Sequence, residues 1–145
     1  MHQAFCQIIP LDRYNWELCL KIEMKPEQRA YMPSVLYSIA QSKFENLEPY
    51  GIMHRGKMVG FIMYGNFGGI CWINRIVIDK DHQRKGLGRA AMKQLLEILK
   101  GKIRCKEIRT SYATSNHVAA AFFASLGFQP LPSNFDDEVI AQYRS

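Results

Sequence analysis

The hydrophobic pattern of this chain switches between a helical and a strand period. Residues 5–10 read as a short opening strand. Trp16, Cys19, Leu20 and Ile22 then recur at near-helical spacing across 15–22. A second helix is expected to start near Pro26, because proline suits a first helical position. Tyr31, Val35, Ile39 and Ala40 continue its apolar side, and Pro33, which has no N–H to donate, should kink or limit it.

The period then shortens to two. Residues 50–55 and 58–64 flank Gly56-Lys57, a hairpin signal, and 65–69 holds three glycines in five residues, a second turn. A long strand is expected over 70–79, carrying Trp72, Ile76, Val77 and Ile78. Leu87, Ala91, Leu95 and Ile98 or Leu99 form one face of an amphipathic helix over 87–99, with Arg89, Lys93, Glu97 and Lys100 away from it. Gly101 stands where that helix would stop. A further strand is expected at 107–112. Asn116 precedes a helix over 117–126 that ends at Gly127, and 128–131 and 139–143 read as two last strands joined through 132–138. Strand, two helices, three or four strands, helix, strand, helix, two strands: this order predicts an α/β fold, one mixed sheet with helices packed on its faces.

With 145 residues, the chain is long enough for one sizeable core and short for two, so one domain over 1–145 is expected. Lys plus Arg is 19 against 13 for Asp plus Glu, and the surplus of +6 favours a polyanionic ligand or partner. Cys6, Cys19, Cys71 and Cys105 show neither a CxxC pair nor a zinc spacing, and read as free, mostly buried thiols. No basic stretch followed by an apolar one opens the sequence, and no apolar run approaches the roughly 20 residues that span a bilayer. A cytoplasmic protein without membrane association is therefore expected.

The densest chemistry lies between Ile76 and Ala91. A buried strand ends, a polar turn follows, and a helix opens at Gln83-Arg84-Lys85-Gly86-Leu87-Gly88-Arg89. Such a helix start offers N–H groups without intrahelical partners, the positive end of the dipole, and glycines that let a phosphate approach. Arg84, Lys85 and Arg89 add full charges. The GxxxxGK[ST] phosphate loop is absent. Gly86-Leu87-Gly88-Arg89-Ala90-Ala91 fits the GxGxxA dinucleotide pattern, but several strands precede it, where a dinucleotide fold places it after its first.

Gln83-x-x-Gly86-x-Gly88 resembles the Q/R-x-x-G-x-G/A signature of the GNAT acetyltransferases. Asn116-x-x-Ala119-x-x-x-Phe123-x-x-x-Gly127-Phe128 resembles that family's N-x-x-A-x-x-x-Y-x-x-x-G-F stretch at full spacing. The resemblance implies a single-domain fold whose mixed, mostly antiparallel sheet has six to seven strands, helices on both faces and a splayed central strand pair. It implies acetyl-CoA as co-substrate and no metal. Ile76, Val77 and Ile78 would pair through their backbones with the pantetheine arm, the amides of Arg84, Lys85, Gly86, Leu87, Gly88 and Arg89 would hold the pyrophosphate, and Gln83 and Asn116 would complete the site.

The reaction implied is direct attack of a primary amine on the acetyl thioester in a ternary complex. The amine must lose a proton to a base or a water chain, and backbone donors polarise the carbonyl. Trp16 with Cys19-Leu20, Glu27-Gln28-x-x-Tyr31-Met32, Ser38-Ile39-Ala40, Val59-Gly60-Phe61 and Met63-Tyr64 resemble the bacterial spermine/spermidine (diamine) acetyltransferases. A polyamine needs acidic or aromatic lining. Glu23, Glu27, Glu45, Glu48, Asp136, Asp137 and Glu138 are candidates beside Tyr31, Tyr64 and Trp72, with Glu27, Tyr31, Glu45, Trp72 and Asn74 taken as the substrate-binding set. The chain departs from the family pattern twice. Phe123 stands at the family's thiolate-protonating tyrosine, and Asn74 where relatives often carry an acid. Tyr112 is the substitute candidate for the catalytic acid, with packing as its competing role. His54 and His82 are possible bases, expected in exposed turns, and His117 sits near a helix start. Two other functions stay open: a non-catalytic acetyl-CoA-binding regulatory protein, and an acetyltransferase for protein N-termini or lysines. A small-molecule amine is the expected partner and a homodimer is left open. Nucleic acid is not expected, because the basic residues gather at one phosphate loop.

Overall fold

The computed structural model describes residues 5–132 and 137–144. Its strands are β1 (Gln7–Pro10), β2 (Glu48–His54), β3 (Lys57–Phe67), β4 (Ile70–Ile78), β5 (Glu107–Ala113), β6 (Phe128–Pro130) and β7 (Glu138–Tyr143). They form one sheet in the order β1-β2-β3-β4-β5-β7-β6, and every pair is antiparallel except the parallel β4–β5. Its helices are α1 (Pro26–Arg29), α2 (Val35–Phe44), α3 (Leu87–Lys100) and α4 (His117–Ser125). One face of the sheet packs Ile62, Cys71 and Ile73 against Leu87, Met92, Leu95 and Leu99 of α3 and Phe123 of α4. The other packs Phe61, Met63 and Val77 against Cys19, Ile22 and Val35. Helices thus cover both faces, as the resemblance implies.

Several boundaries moved for local reasons. The helix expected over 15–22 is a 3-10 helix, Trp16–Lys21. The one expected from Pro26 is broken in two: α1 stops at Arg29, and α2 restarts after Pro33 with the Ser34 hydroxyl accepting from the Tyr37 N–H at 3.0 Å, an N-cap. The first hairpin turns at Arg55-Gly56 rather than Gly56-Lys57, with φ of 51° and 77°, because His54 and Lys57 pair directly. Gly65, Asn66 and Phe67 extend β3, so the second turn shrinks to Gly68-Gly69, with φ of 64° and 94°. The later elements end within one or two residues of expectation.

The feature that positions a site lies at the sheet's centre. β4 and β5 pair from Ile70↔Glu107 to Ile73↔Thr110 and no further. Beyond that rung β4 continues to Ile78 against β3 alone, and β5 to Ala113 against β7 alone, so the two strands splay. Thr110, 2% exposed, donates its hydroxyl to the Ile73 carbonyl at 2.9 Å. At the same level β4 carries a bulge. Met63 faces Arg75 and Tyr64 faces Ile73, which leaves Asn74 as the extra residue. The extra residue inverts the strand's side-chain alternation. Cys71 and Ile73 belong to the α3–α4 face before it, and Ile76 and Ile78 do so after it, while Val77 packs on the opposite face.

Past β4 the chain is fastened by Asp79. Its carboxylate accepts from the Glu23 N–H at 2.9 Å, the Asp81 N–H at 3.2 Å and the His82 ring at 2.9 Å, while Lys80 N–H donates to the Glu23 carbonyl at 2.8 Å. Burial works to raise the Asp79 carboxyl, but these hydrogen bonds outweigh it and hold it below its ordinary value. A depressed folded value means stability fully present above the unfolded value, about 3.9, and lost as pH falls through the folded one. Asp79→Asn should therefore lower the urea midpoint at pH 7, with the gap to wild type closing in acid. A gap of constant size across a pH series would show that the carboxylate charge is not what fastens this turn.

Candidate functional site

Two structures meet at the mouth of the splay: the loop before α3 and the free edge of β4. The loop reaches α3 through Arg84 at φ 64° and Gly86 at φ 76° and ψ 13°. A left-handed non-glycine residue costs on the order of 1 kcal/mol, so Arg84 stores strain here, whereas Gly86 adopts the conformation freely. No side chain caps α3, and its first helical bond is from Ala90 N–H to Gly86 carbonyl at 3.0 Å. Among the described residues, no acceptor meets the amides of residues 84–89. They form a cluster of unpaired donors at the positive end of a helix of 14 residues. Arg84 and Lys85 are exposed beside it.

The other residues of the motif are used differently. Gln83 donates to the Ile78 carbonyl at 2.9 Å and to Gln28 Oε1 at 3.1 Å, tying the loop to β4 and α1. Arg89 turns to the end of α4, donating to Ser125 Oγ at 2.7 Å and the Ser125 carbonyl at 3.1 Å. A Cβ on Gly88 would meet Ile78 Cγ1 at 3.6 Å and Phe122 Cζ at 3.7 Å. Gly88 thus lets α3 pack closely on β4 and α4, with room for one methyl group. Asn116 caps α4, its Oδ1 accepting from the Ala119 N–H at 3.1 Å.

On β4, Asp79 N–H donates to Val59 in β3 at 2.8 Å, so by strand alternation the backbone of Val77 also faces β3. That of Ile76 and Ile78 faces the splay, and the Ile78 carbonyl is already met by Gln83. Asn74 Oδ1 is buried, with no partner among the described residues. Phe123, 6% exposed, lies in an aromatic stack. Its ring is 6.0 Å from that of Tyr112 at an interplanar 7°, and meets Phe122 and Phe128 edge-on at 5.2 and 5.3 Å. Tyr112, half-buried, lies on β5 two residues beyond the last β4–β5 rung.

The acceptor candidates do not converge. Tyr31, 45% exposed, joins its hydroxyl to Ser115 Oγ at 3.1 Å, bridging the segment after α1 to the turn before α4. Glu27 is exposed on α1. Glu45 ends α2 and accepts from Gln41 at 3.2 Å. Trp72 lies on the closed part of β4, with the Arg109 guanidinium 5.9 Å from its ring centre. Tyr64 is core, stacked on Tyr50 at 6.3 Å. Glu23 pairs with Lys80 at 2.7 Å, Glu48, Asp137 and Glu138 are exposed, and Asp136 lies outside the described residues. His54 Nδ1 meets the Phe5 carbonyl at 2.6 Å, His82 meets Asp79, and His117 is exposed at the first turn of α4. Burial pushes the Cys19 and Cys71 thiols up to about 12, so neither offers a thiolate near neutral pH. Among the described residues there is no group of three metal-ligating side chains, and no helix is long and apolar enough to cross a membrane. Sequence reasoning missed Thr110, Arg75, Ser38, Gln41 and Ser115, whose roles depend on partners remote in sequence.

The model of the acetyltransferase (GNAT) family matches residues 13–128. The spermine/spermidine N(1)-acetyltransferase of Bacillus subtilis is 31% identical over 124 residues, 79% of this chain and 82% of that protein. The ribosomal protein bS18-alanine N-acetyltransferase of Escherichia coli is 31% identical over 103 residues, 70% of this chain and 69% of that protein. Among solved structures, the PaiA N-acetyltransferase of Thermoplasma acidophilum in complex with coenzyme A superposes with a TM-score of 0.75 at 16% identity, covering 98% of this chain and all of that one.

The loop geometry makes its own prediction. Gly86→Val forces a β-branched residue into a left-handed conformation and should displace the donor cluster, weakening coenzyme A binding at least tenfold, about 1.4 kcal/mol. Gly88→Ala, which meets only ordinary contacts, should bind within about twofold of wild type. Calorimetric titration of both variants checks this, and unchanged affinity in folded Gly86→Val would remove the loop from the site.

Proposed function

This chain belongs to the GNAT acetyltransferase family, and on that premise we propose that it transfers an acetyl group from acetyl-CoA to a primary amine, with polyamines and diamines the favoured acceptors. The observation that carries the reading is the opening of β4 from β5 directly beside the unpaired amides of residues 84–89. The donor set fits coenzyme A: backbone N–H groups and two free cations suit a pyrophosphate, and the exposed strand edge at Ile76 and Ile78 suits an amide-bearing arm. Bound acetyl-CoA supplies an activated acetyl thioester and a thiol leaving group. In this reading Arg84 and Lys85 neutralise phosphate charge, and Gly86 lets it approach. Gln83 acts from behind, holding the loop to the end of β4. Asn116 orders the start of α4, which borders the splay. Tyr112 is the acid: its hydroxyl gives a proton at the sulfur side, with Phe123 fixing its ring. The free thiols of Cys6, Cys19, Cys71 and Cys105 suit turnover in a reducing cytoplasm.

The polyamine preference rests on the Bacillus relative. A second acceptor class, the N-terminal amine of a protein, is favoured by two facts. The Escherichia relative acts on an alanine of a ribosomal protein by its name, and Glu27 on α1 and Glu45 at the end of α2 stand exposed rather than lining one pocket.

An amine panel separates them. Spermidine should be acetylated faster than a neutral-tailed monoamine, and its advantage should shrink with salt, since acids distant from the thioester attract its remote charges. Equal rates at low salt would remove the polyamine preference, and faster turnover of a peptide beginning with alanine would install the second class. Tyr112→Phe keeps the ring stack and removes the hydroxyl. It should lower kcat about tenfold or more with coenzyme A affinity unchanged. Full turnover in that variant would return Tyr112 to packing.

A further inference from the structure

Asn74 Oδ1 is a buried polar atom that no donor among the described residues meets. Leaving such an atom unmet costs stability that a bound donor would restore. It belongs to the residue that the bulge inserts, one position past the rung where β4 and β5 part. The bulge is also held in place. Arg75 donates Nη1 to the Asn74 carbonyl at 2.8 Å, Nε to Ser38 Oγ at 3.0 Å and Nη2 to Gln41 Oε1 at 2.8 Å. Ser38, 1% exposed, is itself anchored on the Ser34 carbonyl at 2.9 Å, and Gln41 donates onward to Glu45. The peptide that presents Asn74 is therefore pinned to α2 by a half-buried guanidinium engaged at three points.

We propose that the Asn74 side-chain oxygen accepts a hydrogen bond from the attacking amine, and that Arg75 is the positioning residue that keeps this oxygen at the apex of the splay. The proposal rests on the acetyltransferase reading and goes beyond it by naming what holds the reacting nitrogen. An N–H donor is the complement that an unmet carboxamide oxygen lacks, and an amine must carry one to be acylated. A carboxylate at this point would stabilise the ammonium form and could take its proton. A carboxamide does neither, so it orients the amine while the proton leaves to water before attack: the ammonium ion and a water give the neutral amine and a hydronium ion. Arg75 on β4 is acted on by Tyr37 of α2 and by Glu45 at its end, Tyr64 on β3 stands opposite Ile73, and Tyr112 on β5 lies two residues past the last shared rung. Glu45 reaches Arg75 through Gln41, and burial drives the Tyr64 hydroxyl well above its ordinary value.

Two measurements test this. In the first, the best amine of the panel is titrated into the protein saturated with coenzyme A. Asn74→Ala should weaken amine binding at least tenfold and raise its KM in proportion, with coenzyme A affinity unchanged. Asn74→Asp, which keeps an oxygen in place, should retain amine binding. Arg75→Gln should raise the amine KM while coenzyme A still binds. Amine binding and KM within twofold of wild type in Asn74→Ala would overturn the proposal, as no amine would then depend on the oxygen. In the second, which uses only the wild-type chain, kcat/KM is followed against pH for two amines of different pKa. Its rise should track each amine's own pKa, and a rise at one fixed pH for both would reveal an enzyme base and overturn the carboxamide role. A wild-type chain that acetylates no amine strikes the acetyltransferase reading, whereas turnover indifferent to Asn74→Ala strikes this proposal alone.

Discussion

The site depends on where one parallel ladder stops. Two adjacent parallel strands ordinarily pair along their common length, and β4 and β5 are both long enough to continue beyond Ile73 and Thr110. They part because the Thr110 hydroxyl satisfies the Ile73 carbonyl, and because the bulge at Asn74 puts the next residues out of step. Each strand keeps its other neighbour, β3 or β7, so the parting costs only the rungs between them. A strand edge in the middle of a sheet is thereby exposed without a free sheet margin.

The elements around this opening are joined by side chains that reach across it. Gln83 ties the anion loop to the end of β4 and to Gln28. Asp79 ties the same turn to Glu23, and Tyr31 reaches Ser115 before α4. The segment from Glu23 to Tyr31 therefore runs past both sides of the mouth. α2 enters through Arg75, which holds the bulge itself. The N-terminal helices thus act on the geometry of the opening through a few polar contacts, while the apolar packing of α3 and α4 sets its far wall.

Polarity is distributed to match. The unpaired donors lie at the start of α3, the aromatic stack of Tyr112, Phe123 and Phe128 lies on the helical side, and Asn74, whose buried oxygen meets no partner among the described residues, is one position past the last β4–β5 rung. Phe123 suits this stack because its ring, enclosed by three others, carries no hydroxyl that would be buried without a partner.

The sequence by itself determined the later element order, the glycine loop before α3 and the family. Each is written in local signals: Gly86 at a left-handed turn, the apolar face of α3, and the spacing from Asn116 to Gly127. What it left open was decided by contacts between residues far apart in the chain. Thr110 is an ordinary strand residue until Ile73 lies opposite. Arg75 is a surface charge by composition until Ser38 and Gln41 surround it, and Asn74 is a polar residue in an apolar strand until a one-residue slip against Met63 and Tyr64 buries it. Tyr64 and Trp72 looked like pocket lining, and the sheet made one of them core and seated the other on closed strand. Register and side-chain hydrogen bonding are properties of pairs, and a single strand's alternation says which residues share a face but not what stands across from them.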